Sequence, residues 1–218
     1  MAYNKSMKIH PSLLAANKSE IEKEIASILS PCIQSIHFDI WDGIFVPSTM
    51  LEVSLLEKTP KQTPVDVHLM VQYPSKYFSK FLKYKQVTAV AFHIESLEDI
   101  RENISYLRSK GKEVGLGILA STPADYLDQY LLEIDYVLVM TIKGWFSGTP
   151  FIPEVLQKIQ EIHNKRPELT ILVDGGINLE TAQLCANQWA TEGVVSSALF
   201  AQKDRQEYLR LLSKIVQK

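Results

Sequence analysis

His37 and Asp39 stand two positions apart in the apolar run Ser35-Ile36-His37-Phe38-Asp39-Ile40. Residues at i and i+2 of a strand share one face, so an imidazole and a carboxylate converge there on one point. A lone carboxylate taken out of water costs several kcal/mol or more. Two arrangements answer that cost: a His–Asp pair satisfied within the core, or a bound metal ion. His68, in Val65-Asp66-Val67-His68-Leu69-Met70, and Asp174, at the end of Leu172-Val173-Asp174, add a second imidazole and a second carboxylate in similar runs. Together the four offer a donor set suited to one divalent cation: zinc, iron or manganese.

The elements that must position them follow one rhythm, repeated eight times: a short apolar run, a polar loop, an amphipathic segment. Strands are expected at 7–11, 35–40, 65–70, 88–93, 113–118, 136–140, 169–173 and 193–197. Helices are expected at 19–29, 49–58, 75–85, 97–110, 123–131, 153–165, 179–187 and 203–216, with Asn178 as a cap and Gly111 as a stop. The strand runs are almost continuously apolar, the mark of parallel strands covered on both faces. Eight strand–helix units in about 200 residues imply an α/β fold of the closed (β/α)8 barrel type, the TIM barrel, as a single domain over 1–218. An open doubly wound sheet is disfavoured, because Ser12-Leu13-Leu14 follows the first strand where a glycine-rich dinucleotide turn would stand.

Chemistry in such a barrel gathers at the carboxyl ends of the strands. Those ends carry Ser12, His37 with Asp39, His68 with Met70, His93 with Glu95, Met140, Asp174, and Ser196-Ser197. Asp174 is followed by Gly175-Gly176, which serves either a tight turn at positive φ or a close backbone approach to an anion. The loops after the seventh and eighth strands are the usual phosphate site of this fold, so a phosphorylated substrate is expected. Met70 and Met140 either wall the site with soft apolar surface or fill core. Asp66 either braces His68 or sits as a polar member of a barrel layer.

Composition narrows the setting. Of 218 residues 46% are hydrophobic and 22% charged, an ordinary globular profile. A net charge of −2 creates no field for nucleic acid or an anionic membrane, so neither partner is expected. Cys32 and Cys185 have no metal-type spacing and read as free thiols in a reducing compartment. No secretory leader or bilayer-spanning run is visible, which points to the cytoplasm. His10, His163 and Trp189 suggest no role beyond packing or solvent exposure.

Several segments resemble one known family. Pro11-Ser12-Leu13-Leu14, the run from His37 to Pro47, Asp66-Val67-His68-Leu69-Met70-Val71, Phe92-His93-Ile94-Glu95 and Val173-Asp174-Gly175-Gly176-Ile177-Asn178 are similar to signature segments of ribulose-phosphate 3-epimerases. Phe151 to Leu156 and Ser197-Ala198-Leu199-Phe200 are similar too, and the matches keep the family's order over nearly the whole chain. The resemblance implies that His37, Asp39, His68 and Asp174 bind the metal. It implies that Asp39 and Asp174 are the acid/base pair on opposite faces of the substrate's C3, and that Ser12 contacts substrate. It places the phosphate grip at Phe146, Ser147 and Gly148, at Gly175 and Gly176, and at Ser196 and Ser197. It also implies a homo-oligomer acting on a small sugar phosphate, ribulose 5-phosphate.

The sequence departs from that pattern at the mouth. Trp41 replaces the family's usual methionine, Gly144-Trp145-Phe146-Ser147-Gly148 loses glycines from the phosphate loop, and Ser196 replaces a glycine. Lost glycines restrict positive φ and close backbone approach. Either the hydroxyls of Ser147, Ser196 and Ser197 hold the phosphate, or the substrate differs, for example a hexulose such as allulose 6-phosphate. A lysine-based aldolase or decarboxylase of a related barrel is disfavoured, since no Asp-x-Lys-x-x-Asp run exists. A barrel that binds sugar phosphate without turnover is the non-enzymatic alternative, and two inward carboxylates argue against it.

Overall fold

A computed structural model describes residues 6–50, 53–143 and 149–217. Eight parallel strands form the barrel: β1 (Lys8–Pro11), β2 (Ile36–Asp42), β4 (Val65–Met70), β5 (Val87–His93), β6 (Glu113–Ile118), β7 (Tyr136–Met140), β8 (Thr170–Asp174) and β9 (Glu192–Val195). A short strand, β3 (Thr49–Met50), adds antiparallel to the end of β2. Strand order is β1-β9-β8-β7-β6-β5-β4-β2-β3. The ring closes between β1 and β2 through the bridges Ile9–Ile33 and Ser12–His37. The fold is the (β/α)8 barrel that the alternation implies.

Period-two alternation divides each strand between two layers. Ile36, Phe38 and Ile40 face outward and join the helix-side core, together with Ile21, Ile25 and Ile28 of α1 (Ile21–Ile28). The intervening His37, Asp39 and Trp41 therefore face the barrel interior. On β5, β7, β8 and β9 much of the interior is apolar, filled by Ala89, Ala91, Leu138, Met140, Leu172 and Val194, with His93, Asp174 and Glu192 at the ends of β5, β8 and β9. On β1, β2 and β4 it carries His10, His37, Asp39, Asp66 and His68, all buried. Polar groups thus gather on β1, β2 and β4, and His93, Asp174 and Glu192 join them from the ends of β5, β8 and β9.

The outer ring comprises α1, α2 (Ser75–Phe81), α3 (Ile100–Ser109), α4 (Val155–Lys165), α5 (Leu179–Ala186), α6 (Ser197–Phe200) and α7 (Arg205–Leu212). Asn178 caps α5 in a reciprocal box with Thr181, and Gly111 ends the turn after α3 at φ 70°. Two helices expected from apolar spacing take another form. Over 123–131 only Ala124–Leu127 is helical, and it is 3₁₀. Its bonds, such as Tyr130 N–H to Leu127 C=O at 2.8 Å, run mostly from i to i−3. Over 49–58 the chain forms β3 and then a 3₁₀ segment, Val53–Lys58. Apolar side chains three or four apart satisfy either helix over so few turns, so spacing alone does not separate them.

Gly115 on β6 shows how tightly the interior is filled. A Cβ there would lie 2.3 Å from the Tyr136 ring. Overpacking of this kind typically costs about 1–3 kcal/mol. Gly115→Ala is expected to lower stability by that amount in urea denaturation, and an unchanged midpoint would show that Tyr136 yields freely.

Candidate active site and metal centre

The barrel brings His37, Asp39, His68 and Asp174 together from three strands, with one donor atom of each within 4.8 Å of the others. His37 Nε2 lies 3.4 Å from Asp39 Oδ1 and 3.6 Å from Asp174 Oδ2. His68 Nδ1 lies 3.4 Å and 3.3 Å from the same two oxygens. Donors bound about 2.0–2.2 Å from a tetrahedral ion stand about 3.3–3.6 Å apart, so this spacing suits a shared cation. His37 Nε2 and His68 Nδ1 are buried and make no hydrogen bond among the described residues. Buried polar atoms are almost always satisfied, and two orphaned nitrogens aimed at two carboxylates fit a cation between them.

What lies behind each imidazole fixes which nitrogen is left over. His37 Nδ1 is hydrogen-bonded to Asp66 Oδ2. Asp66 therefore braces His37, its cross-strand neighbour on β2, rather than His68 as the sequence suggested. His68 Nε2 lies 2.9 Å from His93 Nε2, and His93 Nδ1 lies 3.1 Å from Glu95 Oε2. Glu95 also accepts the Leu119 N–H at 2.9 Å. A carboxylate can only accept, so His93 donates from Nδ1 and accepts at Nε2. His68 then donates from Nε2 and turns its Nδ1 lone pair to the cluster. Burial and the neighbouring His68 hold the His93 pKa below its ordinary value, which keeps that ring neutral. The sequence shows this support as a His–Glu pair at the same i, i+2 spacing as His37 and Asp39, and its role emerges only with the strands in place.

The electrostatics follow from these contacts. Burial alone would lower the His37 pKa, but the Asp66 and Asp39 carboxylates raise it well above its ordinary value. Burial alone would raise Asp39, but His37 and His68 hold it well below the usual carboxylate range. Asp174 is held low by the same imidazoles against its own burial and the charge of Asp39. With no cation between them, the protons belong to the imidazoles and both aspartates are ionised. Ser12 adds to this, since its Oγ donates to Asp39 Oδ2 at 2.7 Å.

A cleft of about 520 Å³ opens over the cluster. Asp39 and Asp174 line its floor, with Met70, Met140 and Trp41 in its wall and Gly175, Gly176 and Ser197 at one side. His37 and His68 lie behind the aspartates. Leu14, Ile142 and Ile177 complete the apolar wall, a contribution that loop residues of ordinary type do not signal in the sequence.

Comparison with known proteins gives this geometry its context. The family model described as the ribulose-phosphate 3 epimerase family matches residues 8–200. The chain belongs to that family. It is 32% identical to the ribulose-phosphate 3-epimerase of Bacillus subtilis, over 92% of this chain and 95% of that protein. It is likewise 32% identical to the Schizosaccharomyces pombe ribulose-phosphate 3-epimerase, over 97% and 94%. Identity to the cytoplasmic isoform of Oryza sativa is 31%, over 100% and 97%. Among solved structures, 3-hexulose-6-phosphate synthase from Salmonella typhimurium superposes with a TM-score of 0.69 at 18% identity, covering 96% of this chain and 98% of that one. That likeness concerns the barrel alone. Family membership makes this chain an isomerase of the epimerase class.

Other parts of this epimerase's mouth follow the sequence less closely. Gly175 and Gly176 adopt φ of 110° and 66°, and a Cβ on Gly175 would lie 2.6 Å from Ile142 Cγ1. Only glycine suits both demands. Thr181 Oγ1 donates to the Gly176 C=O at 2.9 Å, tying this turn to the first turn of α5. Ser196 lines the cleft, but its hydroxyl is engaged: it donates to the Ser12 C=O and accepts the Ala15 N–H, both at 3.0 Å. These bonds join the ends of β9 and β1. Ser197 is exposed at the start of α6. Phe146, Ser147 and Gly148, also expected in the phosphate grip, lie outside the described residues. Among the described residues no helix is long and apolar enough to cross a membrane.

Proposed function

We propose that this epimerase interconverts D-ribulose 5-phosphate and D-xylulose 5-phosphate by moving a proton at C3, with Asp39 and Asp174 as the two proton-transfer groups. The observation that carries this reading is the pair of aspartates on the cleft floor, each within 3.6 Å of both orphaned imidazole nitrogens. Inverting a carbon beside a ketone requires one group to remove the proton and another to deliver one on the opposite face. One aspartate enters the cycle ionised and takes the C3 proton, an enediolate forms on the substrate, and the other enters protonated and delivers its proton to the opposite face; the two protonation states are exchanged at the end, and the roles reverse with direction. Positioned acid–base groups of this kind contribute about 10²–10⁴-fold. Ser12, which donates to Asp39, holds that carboxylate at its post and meets the substrate beside it.

His37, Asp39, His68 and Asp174 would hold one divalent cation, zinc, iron or manganese, whose chemistry is Lewis-acid polarisation of the ketone oxygen, worth several kcal/mol. Met70 and Met140 exclude water from the reacting carbons, which strengthens every charge interaction beneath them. Gly175, Gly176 and Ser197 receive the phosphate through backbone N–H groups at the ends of β8 and β9. The protein would act in the cytoplasm as a homo-oligomer. Incubation in D₂O with D-ribulose 5-phosphate and, separately, allulose 6-phosphate tests the assignment. Deuterium at C3 with formation of xylulose 5-phosphate is the expected result. Exchange only with the hexulose would reassign the substrate, and phosphate binding without any exchange would make the protein a sensor.

A further inference from the structure

The end of the barrel opposite the cleft holds a second polar cavity of about 720 Å³, lined by Lys8, His10, Ser35, Asp66 and Glu192 among others. These groups form a continuous row that reaches His37 from behind. Lys8 Nζ lies 3.0 Å from Glu192 Oε1, and Glu192 Oε2 lies 2.8 Å from His10 Nε2. His10 Nδ1 lies 3.1 Å from Asp66 Oδ1 and 2.8 Å from Ser35 Oγ. Asp66 Oδ2 then bonds His37 Nδ1.

Both nitrogens of His10 face carboxylates, so each carries a proton and the ring is an imidazolium. Burial opposes this charge, but Asp66 and Glu192 overcome it and raise the His10 pKa to about 9. Charge alternates along the row: Lys8 positive, Glu192 negative, His10 positive, Asp66 negative. His10 and Glu192 are only 4% and 8% exposed. A buried ion pair is often no more stable than apolar side chains of the same volume, so stability alone does not explain one here.

We propose that the Glu192–His10 pair is a positioning device: it fixes Asp66, and Asp66 fixes His37 with its proton on Nδ1 and its Nε2 lone pair turned into the four-residue cluster. The link to cation affinity rests on reading that cluster as a cation site. Groups that orient a metal-binding imidazole typically account for 10–100-fold in metal affinity. Without His10, Asp66 keeps only the Ser35 hydroxyl as a partner on its Oδ1, and the His37 ring loses its fixed anchor.

The test compares wild type with His10→Leu, Glu192→Leu and Glu192→Gln. Co²⁺ is titrated into protein stripped of metal and followed by its visible absorption. The dissociation constant is expected to rise about tenfold in both leucine variants. It should return close to wild type in Glu192→Gln, whose amide oxygen still accepts from His10. In parallel, ¹⁵N-histidine NMR of the metal-free proteins reads the His37 Nδ1–H resonance, which should shift in both leucine variants. Should His10→Leu not fold, the two Glu192 variants carry the comparison. A His37 resonance unmoved in the leucine variants that fold overturns the brace, as does unchanged Co²⁺ affinity where wild type binds the ion. A wild type that takes up no Co²⁺, with the resonance still shifting in the variants, supports the brace and overturns the cation reading instead.

Discussion

Asp174→Asn and Asp39→Asn are each expected to slow epimerisation by about 10²–10⁴-fold, the usual share of a positioned acid or base. The two variants should differ in a way that rate alone does not show. Asp174→Asn leaves Asp39 able to take a proton from its own face of C3 and return one there. One epimer should then wash its C3 proton into D₂O without inversion. Asp39→Asn should do the same with the other epimer. An amide oxygen still coordinates, so metal analysis beside the kinetics separates lost proton transfer from lost cation. Inversion at the wild-type rate in either variant would remove that aspartate from the chemistry. Exchange from the same epimer in both would mean that the two carboxyls work on one face.

The sequence makes much of this arrangement visible because a barrel strand has a period of two. The spacing of His37 and Asp39 puts them on one face, and the outward turn of Ile36, Phe38 and Ile40 settles which face it is. The order of strands around a closed parallel ring then brings Asp174 across to meet them. The protonation pattern is less legible. Two carboxylates at one site suggest one acid and one base with pKa values pushed apart. Among the side chains alone both are held low, because each faces two imidazoles that compete for the protons. The row behind His37 is hidden for a different reason. His10 and Glu192 are 182 positions apart and meet only because β9 pairs with β1 to close the barrel, with Lys8 opposite Glu192 and His10 opposite Val194. No local pattern announces a contact made by ring closure. The contacts of Ser196 are concealed in the same way: its bonds to Ser12 and Ala15 are made across that seam.

The same row predicts an unusual dependence of stability on pH. His10 binds its proton more tightly folded, at about 9, than unfolded, at 6.5. The stability it contributes is therefore complete below pH 6.5 and lost as the pH rises through about 9. Each tenfold difference in proton affinity is worth about 1.4 kcal/mol, which puts the loss near 3 kcal/mol. The carboxylates of the row act in the opposite sense. Burial would raise Asp66 and Glu192, but His37 and His10 hold the first low, and His10 and Lys8 the second. Their contribution is complete above the ordinary carboxylate range near pH 4 and is lost as the pH falls below it. The row is thus most stabilising between about pH 4.5 and 6.5, on the acid side of neutrality. Tyr136, which also lines this cavity, stays neutral throughout, since burial pushes its phenol well above its ordinary value. In metal-free protein His37 and His68 titrate with the same sign as His10. Comparing wild type with His10→Leu in urea at pH 5.5 and 9.5 sets their direct contribution aside. The stability advantage of wild type should shrink by about 3 kcal/mol across that interval. A difference that stays constant would mean that His10 is neutral in the fold. One of its nitrogens would then face a carboxylate without a proton, and the alternation of charge behind His37 would not hold.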